Sequence, residues 1–258
     1  MTNPLVSIIT AVYNGEKHLE ETIQSVLNQS YDNIEYIIID GRSPDGTIDI
    51  IKKYEDKIHY WISEKDDGVY EAMNKGLEVA KGEYIAILNA DDYYTSDAIT
   101  LGIEKIIKTK SDYSVANVEY VRSRGIIKAI YPLEEDYIYQ EMPYPHVSAL
   151  IASKVYKDVG LFDTSFRIAG DHDMAVRIHM QGYKACYIDK VIAQLEEGGI
   201  SSGIESNKES LRVAIKNGKN KIRAWATYFT QLLKISIVKI LPFSLIKQIQ
   251  KFKGSRFK

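Results

Sequence analysis

The sequence predicts an α/β protein with a mostly parallel, Rossmann-related sheet flanked by helices and an amphipathic helical extension at the C-terminus. Short apolar runs alternate with segments of helical periodicity from the first residues onward, a pattern typical of a parallel sheet with helices on both faces. Polar residues, most of them acidic, follow these runs. From residue 208 onward lysines interrupt a dense apolar and aromatic sequence, which indicates a different kind of element.

Four apolar runs in the first half are each short enough for a buried strand. The predicted strands are residues 5–10, 34–39, 58–62 and 84–88. The predicted helices lie between them, at residues 19–27, 47–54 and 69–80, with Thr47 as an N-cap. The second half is less regular, and we expect a hairpin over residues 113–121 and 125–131 and a short helix over residues 171–180.

Charge is divided unevenly along the 258 residues. Residues 208–258 hold thirteen Lys or Arg and one acid, Glu209, for a charge of +12; residues 1–207 carry −14, and the sum is the net charge of −2. We therefore predict a domain over residues 1–207. A basic tail would follow at 208–258.

Several classes of protein are excluded by composition and motif. The one cysteine, Cys186, rules out a disulfide framework and suits a reducing compartment. No signal peptide and no uninterrupted apolar run long enough to cross a membrane is recognisable. No dinucleotide-binding or P-loop glycine motif occurs. The G-x-S-x-G match at residues 199–203 follows loop composition rather than a strand, so we interpret it as a flexible loop.

Acidic side chains at strand ends are the first candidates for chemistry. Asp91 and Asp92 follow an apolar strand; they could hold Mg²⁺ or Mn²⁺ against phosphates, or cap a helix, and both interpretations stay open. Asp40 could accept hydrogen bonds from a base or ribose, although a strand-end cap is the commoner use of a lone Asp. Asp67 belongs to a further acidic turn before a helix.

A second candidate group opens the predicted helix at residue 171. Asp171 and Asp173 are favoured there by the helix dipole, and one of them could act as a general base. His172 between them suggests a metal, but side chains one and two positions apart on a helix do not converge.

Four motifs in fixed order resemble family two glycosyltransferases, the inverting group with the GT-A fold. They are VSIITAVYN at residues 6–14, IIID at 37–40, DGVYEAMNKG at 67–76 and NADD at 89–92. The segment GLFDTSF at residues 160–166, with DHD at 171–173 and Arg177, resembles the family's acceptor side. GGIS at 198–201 resembles a loop that follows it.

The resemblance implies a GT-A-like fold, with a nucleotide-sugar-binding half at about residues 1–110 and an acceptor-side half at about 111–207, and roles for individual residues. Within the acceptor-side half, His146 could border the acceptor pocket or be an ordinary loop histidine. On the nucleotide-sugar side it implies Thr10, Ala11, Val12, Tyr13, Asn14, Asp40, Asp67, Asn74 and Asp91, with Asp40 on the base, as expected for uridine. Asp91 and Asp92 match the metal-and-diphosphate motif, and Asp171 matches the catalytic base. Two positions depart from the family pattern: Asn89 and Gly170 stand where many members carry acids.

The implied reaction is a single displacement from a nucleotide-sugar donor to a hydroxyl acceptor in cell-surface polysaccharide or lipopolysaccharide biosynthesis. A divalent cation would neutralise the leaving diphosphate, and a carboxylate would take the acceptor's proton. A hydrolase pair of carboxylates, a nucleotidyltransferase and a non-catalytic binding protein with the same fold are the alternatives.

The basic tail predicts contact with an anionic membrane surface, which would place the protein peripherally at the inner face of the plasma membrane, near a lipid-linked saccharide acceptor. Packing on the body or on a second copy in a homodimer is the alternative. No nucleic-acid-binding module accompanies the charge.

Overall fold

A computed structural model describes residues 3–121, 123, 125–129, 131–132, 135–196 and 204–240. The strands are β1 Val6–Val12, β2 Ile34–Asp40, β3 Tyr60–Ser63, β4 Tyr84–Ile87, β5 Asp92–Tyr94, β6 Tyr113–Tyr120, β7 Ile126–Ile127, β8 Leu150–Ala152 and β9 Ala185–Leu195. The helices are α1 Leu19–Leu27, α2 Thr47–Lys53, α3 Val69–Val79, α4 Ala98–Thr109, α5 Glu135–Ile138, α6 Ser153–Val159, α7 Gly170–Met180, α8 Ile204–Lys216 and α9 Lys221–Ile240.

The described strands form one sheet in the order β3-β2-β1-β4-β8-β6-β9-β5, with β7 beside β6. The first four strands of this order are parallel, as predicted for the N-terminal half. Beyond β4 the sheet is mixed, because β8 runs antiparallel to both β4 and β6 while β6 and β9 are parallel. The prediction of a mostly parallel sheet therefore holds for the first half of the chain, and the complete sheet is mixed.

Alternating residues of the central strands build a core on each face of the sheet. Ile8 packs with Leu19 of α1 and Ile51 of α2 on one face, and Ile9 packs with Met73 of α3 on the other. All of these side chains are buried. Because neighbouring strand residues point to opposite faces, the unbroken apolar runs are explained by helices on both sides.

Helix α3 approaches the sheet closely, and a glycine permits this. A Cβ built on Gly76 would lie 2.4 Å from the Ile9 side chain, so a larger residue would push the helix away. The opposite, N-terminal end of α3 carries Tyr70, whose hydroxyl reaches the start of α7. The packing of α3 thus fixes where Tyr70 stands.

Some element boundaries differ from the predictions. The third strand is displaced to residues 60–63, and the hairpin exists as the short pairing of β6 with β7. The helix predicted at residue 171 begins at Gly170. The predicted domain boundary at residue 207 falls inside α8, whose Val213 and Ala214 are buried, so the first part of the tail belongs to the body.

The predicted tail therefore divides into two parts. Helix α9 packs on α8, while residues 241–258 and the glycine-rich loop at 197–203 lie outside the described residues. Among the helices that the structure describes, none is both long enough and apolar enough to span a membrane.

Candidate active site

Two loops that follow β1 and β2 are joined at one edge of the sheet. Asp40 is fully buried at the end of β2, and its carboxylate accepts hydrogen bonds from the Ser43 backbone N–H at 3.1 Å, the Ser43 hydroxyl at 2.5 Å and the Ser63 hydroxyl at 2.6 Å. The Ser43 hydroxyl also accepts from the Asn14 backbone N–H at 2.9 Å. Asn14 and Arg42 both adopt left-handed backbone conformations, with φ of 56° and 63°. Asp40 thus caps its strand and orders the loop, and a contact with a base stays a prediction.

The residues predicted to border the nucleotide at the end of β1 differ in exposure. Thr10, Ala11 and Val12 are buried within the sheet, and the Thr10 hydroxyl shares a hydrogen bond with the Tyr36 hydroxyl at 3.2 Å. The Tyr13 side chain is 63% exposed. Of the five residues predicted here, Tyr13 and Asn14 are exposed, and the Tyr13 ring offers the larger side-chain surface to a ligand.

Asp67 and Asn74, the next predicted residues, lie just before and within helix α3, and Asn74 makes contacts inside the protein. Asp67, just before the helix, is exposed. The Asn74 amide donates to the Phe162 carbonyl at 2.9 Å and accepts from the Phe162 N–H at 2.8 Å. This pairing imitates a backbone ladder and ties α3 to the segment after α6. These contacts of Asn74 are structural, and its role at the nucleotide stays a prediction.

The adjacent acids after β4 lie in contrasting environments. Asp91 is exposed, whereas Asp92 is 3% exposed and accepts a hydrogen bond from the Asn89 side-chain amide at 2.9 Å. Burial, and then the neighbouring Asp91 carboxylate, raises the pKa of Asp92 to about 7. Asp92 is held because it opens β5, where it pairs with Leu195 of β9.

The oxygen atoms of Asn89, Asp91 and Asp92 suit a hard divalent cation in part. Carboxylate and amide oxygens are ligands that Mg²⁺ and Mn²⁺ accept, and such ions commonly take their remaining ligands from substrate phosphates and water. Within the described ranges no group of three His, Cys, Asp or Glu side chains converges on one point. The residues present therefore fit a cation that is bound together with a diphosphate.

Asp171 stands in the first turn of α7 and is held from several directions. Its Oδ1 accepts hydrogen bonds from the His172 backbone N–H at 2.8 Å and from the Tyr70 hydroxyl at 3.3 Å. The Tyr70 hydroxyl also donates to the Ile168 carbonyl at 2.6 Å. A Cβ on Gly170 would lie 2.8 Å from the Tyr70 ring. The glycine before the predicted base therefore makes room for the ring that holds it.

His146 links the NADD motif at residues 89–92 to Asp171, the predicted base. Its Nδ1 lies 3.4 Å from Asp171 Oδ2, and its Nε2 lies 3.4 Å from Asn89 Oδ1. Because the Asn89 NH₂ group faces Asp92, the Asn89 oxygen faces the imidazole. Both ring nitrogens thus face acceptors, an arrangement that the protonated imidazolium satisfies. Asp92, Asn89, His146 and Asp171 consequently form one continuous chain of side chains.

The pKa shifts of Asp171 and His146 follow from their contacts. Burial alone would raise the pKa of the Asp171 carboxyl, but the hydrogen bond and charge of His146 outweigh burial and hold that pKa below its ordinary value. Burial alone would lower the pKa of His146, and the Asp171 carboxylate reverses this and raises it. Asp171 is therefore ionised at neutral pH and able to accept a proton.

Asp171 and His146 line one small pocket, together with aromatic and aliphatic side chains, among them Tyr144, Tyr156 and Phe162. The neighbours of Asp171 on α7 face elsewhere: His172 contacts the Ile138 carbonyl through Nε2 at 2.6 Å. The three side chains of the DHD sequence thus have separate partners.

Comparison with known proteins identifies the family. The model for the family described as "Glycosyl transferase family 2" matches residues 7–145. This chain belongs to glycosyl transferase family 2. The family resemblance of the motifs is thereby confirmed.

Named relatives cover parts of the chain. The Putative teichuronic acid biosynthesis glycosyltransferase TuaG of Bacillus subtilis is 38% identical over 48% of this chain and 52% of its own length. The UDP-Glc:alpha-D-GlcNAc-diphosphoundecaprenol beta-1,3-glucosyltransferase WfaP of Escherichia coli is 32% identical over 70% of this chain and 72% of its own. The chain spans about half the length of the first curated relatives that it matches.

Solved structures support the fold. TarS 1-349 of S. aureus in complex with UDP superposes with a TM-score of 0.69 at 19% identity, over 87% of this chain and 69% of that chain. The mannosyltransferase PcManGT of Pyrobaculum calidifontis in complex with GDP-Man and Mn²⁺ gives 0.66 at 18% identity, over 100% and 82%. These likenesses confirm the GT-A architecture.

Sequence reasoning missed several residues of the site. Tyr70 lies inside a quoted motif, and Ser43 lies in the turn RSPDG, but neither position carries a signal that names its partner. Glu209 was visible as the single acid in a basic segment.

Proposed function

We propose that this protein is an inverting glycosyltransferase that moves a sugar from a UDP-linked donor to a hydroxyl acceptor. The observation that carries the proposal is the chain from Asp92 through Asn89 and His146 to Asp171. It joins a donor-type acidic motif to a carboxylate beside a pocket, which is the separation of roles that a single displacement requires.

On the donor side, we propose that the exposed Tyr13 ring stacks on the base and that backbone groups at the end of β1 border the ribose. Asp40 would reach the base only through the loop that it orders, or after Ser43 moves. The UDP complexes of TarS support a uridine donor, whereas PcManGT binds GDP-Man. The identity of the base is therefore one variable of the test.

We propose that Asp91 and Asp92 hold Mg²⁺ or Mn²⁺ with the donor diphosphate, and the Mn²⁺ complex of PcManGT supports this. The bound ion would supply charge neutralisation at the leaving diphosphate. Asp91 is the better placed of the two because it is exposed, whereas Asp92 already accepts a hydrogen bond from Asn89.

On the acceptor side, Asp171 accepts the proton of the attacking hydroxyl. Its carboxylate is ionised, and the contacts with Tyr70 and His146 fix its orientation. The acceptor oxygen then attacks the anomeric carbon from the face opposite the diphosphate, so the configuration inverts and no covalent enzyme intermediate forms.

The names of TuaG and WfaP support a role in cell-surface polysaccharide biosynthesis with a lipid-linked saccharide acceptor. We propose that α9 brings the enzyme to that acceptor at the inner face of the plasma membrane. Its side chains Ile222, Trp225, Phe229 and Leu233 recur at helical spacing and are 81%, 45%, 60% and 61% exposed. Aromatic and basic residues favour the interface of an anionic bilayer.

The test of the transferase is release of nucleoside diphosphate across a panel of UDP- and GDP-sugars, with Mn²⁺ or with EDTA. Asp171→Asn is expected to abolish release, while Asp56→Asn, an exposed control on a surface turn, leaves it unchanged. Release of inorganic diphosphate would instead favour a nucleotidyltransferase. Donor binding without turnover in any assay would favour a non-catalytic binder.

The membrane proposal is tested by co-sedimentation with vesicles of phosphatidylglycerol and phosphatidylcholine, against vesicles of phosphatidylcholine alone. Phe229→Ser with Leu233→Ser should remove the protein from the anionic vesicles, and Ile107→Ser, an exposed apolar control on α4, should not. Unchanged partition, with a dimer of the wild-type protein that the double substitution dissociates, would assign the face to a second copy.

A further inference from the structure

Helix α8, which the sequence assigned to the tail, contacts the chain on both sides of Asp171. On the N-terminal side, the Glu209 carboxylate accepts hydrogen bonds from three consecutive backbone N–H groups: Arg167 at 3.0 Å, Ile168 at 2.7 Å and Ala169 at 2.8 Å. These amides directly precede α7. The Glu209 side chain is only 13% exposed, so solvent weakens these bonds little.

On the C-terminal side, α8 and the residue after it hold Asp173. This carboxylate is fully buried, and it accepts hydrogen bonds from Lys216 Nζ and Asn217 Nδ2, both at 2.9 Å. Arg177 Nε completes the set at 2.9 Å. Asp171, the predicted base, therefore lies between two segments that α8 and Asn217 hold through hydrogen bonds.

Cation–π contacts reinforce the attachment of α8. The guanidinium of Arg212 lies 4.7 Å from the centre of the Phe166 ring, and Lys216 Nζ lies 5.3 Å from it. Phe166 is itself buried, one residue before the amides that Glu209 binds. Two basic residues of α8, Arg212 and Lys216, thus contact the loop before α7 and help to fix it.

We propose that Glu209 is a positioning residue for Asp171, so that α8 is part of the catalytic machinery although its sequence reads as the start of a basic tail. The inference rests on the proposed function, in which Asp171 is the base. Glu209 satisfies amides that would otherwise lack partners at the start of α7. Without it, the first turn of α7 can shift, and a base displaced by about 1 Å loses on the order of 100-fold in rate.

The experiment compares Glu209→Gln with Glu205→Gln in the full chain. Glu205 lies on the same helix, is 70% exposed and pairs with Lys208 alone among the contacts described for it, so it is a matched control. We expect Glu209→Gln to lower kcat by about 10- to 100-fold with the donor KM within about twofold of the control. Glu209→Asp, which keeps the charge on a shorter side chain, should recover part of kcat.

Hydrogen–deuterium exchange of the same full-length proteins gives a readout that does not depend on turnover. The amides of residues 167–169 should exchange faster in Glu209→Gln than in Glu205→Gln. A kcat within twofold of the control, unchanged exchange at these amides, or global unfolding of Glu209→Gln would each overturn the assignment, the last by making Glu209 a folding determinant. Absence of turnover in the wild-type protein would refute the proposed function and leave the exchange result to be judged separately.

Discussion

The substitution Asn74→Ala tests whether Asn74 has a structural role or binds the nucleotide. The substitution removes the partners of the Phe162 N–H and carbonyl, which bond the Asn74 amide at 2.8 Å and 2.9 Å. Phe162 is 7% exposed, so water replaces the lost bonds poorly.

The expected cost follows from these two groups. Each buried polar group left unpaired costs about 1–2 kcal/mol, so the free energy of unfolding should fall by about 2–4 kcal/mol. For a chain of this length a loss of 1 kcal/mol lowers Tm by about 2 °C, which predicts a decrease of about 4–8 °C. The m value should stay unchanged because the surface exposed on unfolding is nearly the same.

The measurement is urea and thermal unfolding, together with the KM for the nucleotide-sugar donor. Asn28→Ala, an exposed asparagine at the end of α1, is the control and should stay within about 0.5 kcal/mol of the wild-type protein. A variant that melts like the wild-type protein but binds donor ten times more weakly would refute the structural interpretation of Asn74 and restore the nucleotide role.

Three further predictions concern the site itself. Asp91→Asn should remove the rise in Tm that Mn²⁺ with UDP gives the wild-type protein, while its Tm without ligand stays the same; a retained response would exclude Asp91 as a ligand. Tyr70→Phe leaves a backbone carbonyl unpaired and loses a contact with Asp171, so urea unfolding should show a loss of about 1–2 kcal/mol; an unchanged midpoint would contradict this. The carboxylate of Asp171 raises the pKa of His146, so that pair's stabilisation is complete below the ordinary imidazole pKa of about 6.5 and is lost as pH rises through the higher folded value. The Tm difference between wild type and His146→Gln should therefore shrink from pH 6 to pH 8.5, and a constant difference would count against the pair.

The first half of the fold was predictable because its signals are local. The strands β1, β2 and β4 are predominantly apolar, and the helices between them repeat apolar residues every three or four positions. The second half depends on pairings over long sequence distances. Strand β5 is the three-residue sequence DYY, which becomes a strand only because β9 lies beside it.

The site was predictable as a set of residues but not as a set of roles. The motifs named Asp91 and Asp92 together, yet the pairing of Asp92 with Leu195 buries one acid and leaves the other exposed. The partner of Asn74 is 88 residues away along the chain. Nothing in the sequence around either position indicates the contact, because side-chain partners at such distances are set by the tertiary fold.

The departure from the family pattern at Asn89 has a physical explanation in its neighbours. A carboxylate at this position would add a third acid beside Asp91 and the buried Asp92, whose pKa is already raised to about 7. The amide instead donates to Asp92 and offers its oxygen to His146. The asparagine thus joins a buried carboxylate to an imidazole, which an acid could do only by placing like charges in contact.

The departure at Gly170 also has a physical explanation, which is the closeness of the Tyr70 ring. Any side chain there meets the Tyr70 ring at 2.8 Å, so an acid would require the ring to move. The hydroxyl of that ring holds both the Ile168 carbonyl and Asp171. At each departure, therefore, a hydrogen-bonding side chain orients a carboxylate of the site. Tyr70, beside Gly170, holds Asp171, and Asn89 holds Asp92. Hydrogen bonds orient these carboxylates without a further negative charge, which would raise the pKa of Asp171 or Asp92 by repulsion.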